Sequence, residues 1–359
     1  MKAGIIGYRQ SGKTTLFNIL TSAGAQIGYS GKSETNIGVA KVPDSRLWKL
    51  SAMFRPKKTT PATVEYIDLP GVAKGEFQTL AQLSSLRSAD ALVHVVRAFA
   101  DPRMPHPEGP IDPARDVESF ELEMIFSDLA ALENRLERLE KELKKSRNKD
   151  LEAEFTLLEQ FKKHLESEKP LREMDLEQEQ RKRVRGFSLL SLKPEIVVLN
   201  LAESDVAEIG SSVDKFRLGG WSGRPRLGFS SVCGKIEAEI SELTKADSEA
   251  FLKELGFSEP GLHRVIRDTY RILDLISFFT VGEDEVRAWT VRRGTPAQKA
   301  AGEIHSDIER GFIRAEVISF ENLATIGSFS VAREKGQLRL EGKEYVVQDG
   351  DVINFRFNV

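Results

Sequence analysis

Cysteine is almost absent from this chain. One residue of 359, Cys233, carries a thiol, so no internal disulfide can form, and no Cys-x-x-Cys pair or Cys/His cluster offers a zinc site. That usage fits a reducing compartment, and a cytoplasmic location is expected. Long apolar runs are missing too: no stretch reaches the roughly 18 residues that a bilayer span needs, so no membrane partner is expected. The opening Met1-Lys2-Ala3-Gly4-Ile5-Ile6-Gly7 meets glycine too early for a secretory core. Neither charge dominates. The 52 Lys and Arg face 55 Asp and Glu, a formal net of −3. A protein basic throughout is excluded, no DNA partner is expected, and only local basic patches remain open. There is no internal repeat and no low-complexity tract. At about 150 residues per domain, the length predicts two to three domains.

What is present begins with short apolar runs at 3–6, 62–67 and 91–96, with a fourth at 195–199. They read as strands of a mainly parallel α/β sheet. Between the third and fourth the period changes. Leu122, Ile125, Leu129, Leu132, Leu136, Leu139 and Leu143 recur in steps of three and four, a heptad stripe. Ser146-Arg147-Asn148-Lys149-Asp150 interrupts it, and Leu151, Phe155, Leu158, Phe161 and Leu165 resume it. The pattern predicts an antiparallel helical coiled-coil hairpin over 118–185, inserted into one α/β domain made of 1–117 and 186–275. Its Lys141, Lys144, Lys145, Arg147, Lys149, Arg181, Lys182, Arg183 and Arg185 fit either an ordinary solvated face or a surface facing RNA or the ribosome. From 276 to 359, strand-like runs around one helical stretch at 296–308 predict a small α+β module.

Gly7-Tyr8-Arg9-Gln10-Ser11-Gly12-Lys13-Thr14 matches the phosphate loop G-x-x-x-x-G-K-[ST], and the helical run from Thr15 follows it. Gly7 and Gly12 let the backbone curl. The N–H groups of Arg9, Gln10, Ser11 and Thr15 would surround the phosphates, Lys13 would sit between the β- and γ-phosphates, and the Thr14 hydroxyl would ligate Mg²⁺. Tyr66-Ile67-Asp68-Leu69-Pro70-Gly71 ends the second strand and fits D-x-x-G. Asp68 would hold Mg²⁺ through water, and the Gly71 N–H would reach the γ-phosphate. Ras-like GTPases carry a water-orienting glutamine next; here stands Val72. Slow intrinsic hydrolysis, or another water-positioning residue, is the expectation. Asn200-Leu201-Ala202-Glu203 occupies the place of the guanine-reading N-K-x-D, with leucine for lysine and the longer glutamate for aspartate.

Valine after D-x-x-G, N-x-x-E for N-K-x-D and the inserted hairpin together resemble the Obg-like ATPase (YchF) family of translation-factor-class P-loop proteins. Val95-Val96-Arg97-Ala98-Phe99, Asp112-Pro113-Ala114-Arg115-Asp116, Arg287-Ala288-Trp289-Thr290, Ile304-His305-Ser306-Asp307 and Glu341-Gly342-Lys343 extend the likeness over the whole chain. The resemblance implies a P-loop NTPase domain of the Ras-like type and a C-terminal TGS domain with the ubiquitin-like β-grasp fold. It also implies ATP bound in preference to GTP with Mg²⁺, slow turnover, and association with the ribosome or RNA; a monomer is expected. It carries adenine contacts to Asn200, Leu201 and Glu203, with Ser231 and Val232 in the neighbouring base loop. The water-positioning histidine falls on His106; by itself it reads first as an exposed loop side chain, and the missing glutamine with the matching spacing brings the two readings level.

Three segments depart from the family. Gly31-Lys32-Ser33-Glu34-Thr35-Asn36 has Lys32 where a threonine is expected, leaving Ser33 or Thr35 to supply a hydroxyl to Mg²⁺, or Lys32 to meet the γ-phosphate directly. Tyr8-Arg9-Gln10-Ser11 replaces a Pro-Asn-Val type of loop, and the stretch after Gly71 is short. A GTPase of the same fold, and a non-hydrolysing adaptor gated by nucleotide, therefore stay open. Trp289 and the Phe278-Phe279 pair read as core or as RNA-stacking aromatics, and Cys233 as core beside the base loop.

Overall fold

The computed structural model describes residues 1–21, 36–77, 84–146 and 148–358. Contacts divide the chain into two compact units: Met1–Val39 with Glu65–Ile272, and Ala40–Val64 with Leu273–Val359. Its elements run β1 (Lys2–Ile6), α1 (Lys13–Thr21), β2 (Asn36–Lys41), α2 (Ser45–Phe54), β3 (Lys58–Thr60), β4 (Thr63–Asp68) and β5 (Ala91–Ala98). The hairpin helices α3 (Pro113–Lys145) and α4 (Lys149–Glu166) follow, then β6 (Glu195–Leu201), β7 (Leu227–Val232), α5 (Gly234–Glu242) and α6 (Gly261–Ile272). The last stretch holds β8 (Leu275–Val281), β9 (Glu285–Arg292), α7 (Ala297–Ile304), β10 (Phe312–Ser319), β11 (Arg339–Glu341) and β12 (Asp351–Phe357).

The first unit is built on a sheet of order β2-β4-β1-β5-β6-β7, parallel from β4 through β7. β5 and β6 are buried along their whole length, as Val- and Leu-rich strands covered on both faces must be. The apolar runs seen in the sequence are these strands. Because the pairs are parallel, the carboxyl ends of β1, β4, β6 and β7 lie on one edge, the edge where open α/β sheets bind ligands.

The hairpin starts earlier than residue 118. Asp112 caps α3, accepting from the Arg115 N–H, and Pro113 takes the first turn, where its missing donor costs nothing. Phe120 and Met124 pack with Ile6, Tyr8 and Leu92, so the first turns of α3 belong to the core of the sheet. Beyond them Ile125, Leu132, Leu136 and Leu139 close a seam on Leu157, Leu158, Phe161 and Leu165 of α4. The base of the hairpin is charged and buried. Arg172 meets Glu121 of α3 and, at 3.0 Å, Glu195 of β6, whose other oxygen lies 3.1 Å from His94 Nδ1 on β5. Burial pushes Glu121 up to about 7 even beside Arg172. Glu195 is fully desolvated, yet Arg172 and His94 hold it below the usual carboxylate range. On the outer face Lys141, Lys144, Lys145, Lys149 and Arg185 are exposed, while Lys182 and Arg183 pair with Glu179 and Asp150; Arg147 lies outside the described residues.

The second unit carries a sheet of order β11-β10-β12-β8-β9-β3. The β8–β9 hairpin, the helix α7, and β12 parallel to β8 and antiparallel to β10 make a β-grasp. Ala297, Ala300 and Ala301 let α7 approach the sheet closely, over Phe278, Val317 and Ile353. Phe278 and Phe279 are fully buried, which is the core reading of that pair. The sixth strand, β3, comes from far upstream. Its residue Thr59 pairs in parallel with Val286, the Arg46 guanidinium grips Asp349 with two bonds of 2.8 and 3.1 Å, and the same group lies 5.3 Å from the Phe279 ring centroid. The sequence boundaries assign 40–64 to the nucleotide-binding domain with the rest of 1–117. Contacts more than 220 residues apart, such as Lys57 to Asp284 at |i−j| = 227, join this segment to the second unit instead and leave no local period to read.

Candidate functional site

β1 ends at Ile6, and Gly7 turns the chain with φ +141°; a Cβ there would run into the Val95 carbonyl. Gly12, at φ +94°, is pressed against the Asn200 side-chain amide. Only glycine fits these two positions. The helix α1 begins directly afterwards, so the N–H groups of Lys13, Thr14 and Thr15 in its first turn have no helical acceptors and face an incoming anion. Gln10 sits in the left-handed region at φ 64°, between Arg9 and the buried Ser11. Lys13 is buried, and its ammonium donates to the Tyr8 carbonyl at 2.7 Å. Burial brings this group down to about 8; Asp68 raises it and Arg9 lowers it further.

Thr14 Oγ1 donates to Asp68 Oδ2 at 3.0 Å, joining the helix start to the end of β4. Burial raises the Asp68 carboxyl against the opposing effects of Thr14, Lys13 and Asn36, and its Oδ1 is buried with no hydrogen-bond partner among the described residues. A hydroxyl, a carboxylate and an orphaned buried oxygen suit Mg²⁺, which is usually held by one or two protein oxygens plus phosphate and water. Thr35, with Lys32 and Ser33, lies outside the described residues. Gly71 approaches so closely that a Cβ on it would stand 2.7 Å from Lys13 Nζ. The backbone just beyond is fastened to the loop: the Arg9 N–H donates to the Val72 carbonyl at 3.0 Å. Val72 itself is 5% exposed and packs into the core with Tyr8 and Phe77.

His106 is not an exposed loop side chain. It is buried, 3.0 Å from Asp116 through Nε2, and its Nδ1 accepts from the Glu108 N–H at 3.2 Å. An Nδ1 that accepts leaves the proton on Nε2, so the ring is held as one neutral tautomer donating to Asp116. Arg115 steadies both partners, donating to the Glu108 carbonyl at 2.9 Å and to the other Asp116 oxygen at 2.8 Å. His106 lines a cavity with Tyr8, Arg9, Ser11 and Asp116, beside the phosphate loop.

At the base end the sequence positions separate. Asn200 uses both ends of its amide inside the protein, donating to the Ser11 carbonyl at 3.0 Å and accepting from the Gly234 N–H at 2.9 Å. Leu201 is buried in the apolar cluster around Val96 and Leu199. Its side chain is therefore committed to packing and is not a stacking surface. Ser231 and Val232 are buried; the Ser231 hydroxyl is 2.7 Å from that of Ser212, and its carbonyl accepts from Arg264. Glu203 is exposed and accepts from Lys235 Nζ at 2.6 Å. Lys235, Asp116 and Glu76 are residues that the motifs do not reveal, because tertiary packing and not spacing brings each to its partner.

Residues 2–125 match a sequence family described as "50S ribosome-binding GTPase", and residues 275–358 match one described as "Protein of unknown function (DUF933)", the YchF-GTPase C-terminal family. The chain is 44% identical over its full length to the whole of "Ribosome-binding ATPase YchF" from Bacillus subtilis. The chain belongs to the YchF family. The Escherichia coli O157:H7 member is 40% identical, with 100% of this chain and 99% of the relative covered. A solved structure of the Schizosaccharomyces pombe YchF GTPase superposes with a TM-score of 0.83 at 29% identity, covering 99% of this chain and 97% of that one. That likeness spans both units of the chain, the P-loop sheet and the C-terminal sheet alike.

Proposed function

We propose that the chain is a slow, Mg²⁺-dependent ATPase that works with the ribosome in the cytoplasm as a monomer, its C-terminal unit acting as a TGS-type module. The observation that carries the hydrolase reading is the phosphate loop with its buried Lys13, tied through Thr14 to Asp68. Asp68 and Thr14 would hold Mg²⁺, which supplies charge neutralisation at the β- and γ-phosphates. Gly71 is close enough to Lys13 for its N–H to share the terminal phosphate. Val72 cannot orient water, and His106 is the group within the adjoining cavity that could, once its ring leaves the closed ring of contacts with Asp116 and Glu108. Ribosome association comes from the relatives' names, and the exposed lysines at the hairpin tip suit such a partner.

ATP preference rests on the base end. Guanine would need a carboxylate for its N1–H and 2-amino group, and the Glu203 carboxylate is already engaged by Lys235. With Asn200 and Leu201 turned to structural work, their contribution to a base would come from position and backbone. Competition binding with ATP and GTP tests this. ATP favoured by roughly tenfold or more, about 1.4 kcal/mol, supports it, and a tenfold preference for GTP overturns it in favour of a GTPase. Single-turnover hydrolysis with and without ribosomes separates the enzyme from a nucleotide-gated adaptor, which would show no stimulated turnover.

A further inference from the structure

Arg9 is the one loop residue whose charge the phosphate-loop motif does not require. Its Nη2 donates to Glu76 Oε2 at 2.7 Å and its Nε to the Gly71 carbonyl at 3.3 Å, while its backbone is fastened to Val72. The same Glu76 oxygen accepts the Ala73 N–H at 3.2 Å, closing the turn 73–76. Both ion-pair side chains are half exposed, at 59% and 50%, so neither is locked by packing. Arg9 nonetheless stands where a terminal phosphate would be gripped. A Cβ on Gly71 would lie 3.0 Å from Arg9 Cα and 2.7 Å from Lys13 Nζ, and Arg9 lines the cavity shared with Ser11 and His106.

We propose that Arg9 is a terminal-phosphate ligand supplied in cis, with Glu76 as the anion that occupies it when no triphosphate is bound. The proposal rests on the nucleotide reading of the loop and adds a residue to it. A guanidinium meets two phosphate oxygens in the same forked geometry in which it meets a carboxylate, so a γ-phosphate and Glu76 compete for one donor set. A diphosphate offers nothing at that position and leaves the pair intact. Exchange also frees the Glu76 oxygen that holds the Ala73 N–H, so the turn after D-x-x-G loses a contact only in the triphosphate state. The charge of Arg9 partners an equally local glutamate.

The test is the ratio of affinities for the Mg²⁺ complexes of ADP and a non-hydrolysable ATP analogue, measured by titration calorimetry on the full chain. Arg9→Ala should lower the preference for the triphosphate by roughly tenfold while leaving diphosphate affinity unchanged. Glu76→Gln should raise that preference by roughly threefold, since an exposed pair is weak. The double variant should behave as Arg9→Ala alone. An unchanged ratio in Arg9→Ala, an equal loss of both nucleotides, or a Glu76→Gln effect that persists without Arg9 overturns the proposal. Lys13→Ala with undiminished binding of both nucleotides would instead overturn the phosphate-loop reading beneath it.

Discussion

Lys13 has a carbonyl and not a carboxylate as its hydrogen-bond partner, and this gives the site a pH dependence of known sign. With its ammonium brought down to about 8 by burial, the unliganded residue loses its proton between neutral and alkaline pH. Triphosphate binding needs the charged form. Affinity should fall as pH rises through about 8, with up to one proton taken up on binding there, and Lys13→Arg should remove the uptake. Calorimetry in buffers of different ionisation heat measures this, and an affinity flat from about pH 7 to pH 9 contradicts it. For the free chain the sign reverses. The unfolded lysine keeps its proton up to 10.5, so this residue's contribution to stability rises between about 8 and 10.5. At His106, Asp116→Asn should slow ribosome-stimulated turnover by roughly 10²-fold with nucleotide affinity unchanged, because it replaces the carboxylate that holds the imidazole and leaves the phosphate loop itself untouched. An unaltered rate would leave Asp116 a structural partner. Gly7, Lys13, Thr14 and Asp68 were legible because phosphate chemistry fixes their types at short spacing. Asp116, Glu76 and Lys235 were not, and neither was the burial of His106, since each depends on which loop packs over which helix.

The hairpin shows the same division at the scale of an element. Its seam was readable because steps of three and four put leucines on one face wherever a helix forms. Its root was not. Nothing in Glu121, Arg172 or Glu195 marks them as a buried network, and His94 reads as one more residue of an apolar strand. Arg172→Met strands two carboxylates in the interior and should cost about 3–5 kcal/mol in urea unfolding. Both acids then favour protonation, so the cost should shrink on acidification. Adding Glu121→Gln should recover part of it, whereas a loss of less than about 1 kcal/mol would mean that water reaches the network.

For the whole molecule, the family boundaries and the compact units do not coincide. Residues 275–358 carry the C-terminal family match, yet the edge of that sheet beyond β9 is completed by β3, and Asp349 is gripped by Arg46. A fragment spanning 273–359 would therefore expose the β9 edge, with its unpaired N–H and C=O groups, and leave Asp349 without its arginine. It should aggregate or fold poorly, and fusing 40–64 to it should restore a cooperative thermal transition. Equal stability of the two fragments would show the upstream segment to be dispensable. A small α+β module was legible from short runs around a helix, and its β-grasp form only through the family resemblance; its sixth strand was not, since no sequence pattern announces a partner so far away.

That sixth strand also sets a timetable. The partners of 40–64 lie 225 to 303 residues further along the chain. At about 5–20 residues per second, the segment emerges roughly 10 to 60 seconds before these distant partners have been made. The nucleotide-binding sheet can finish folding in that interval, since its last strand, β7, ends at Val232. It must do so around a segment of 25 residues whose strand β3, beside the exposed Trp48, has no sheet partner until β9 has been made.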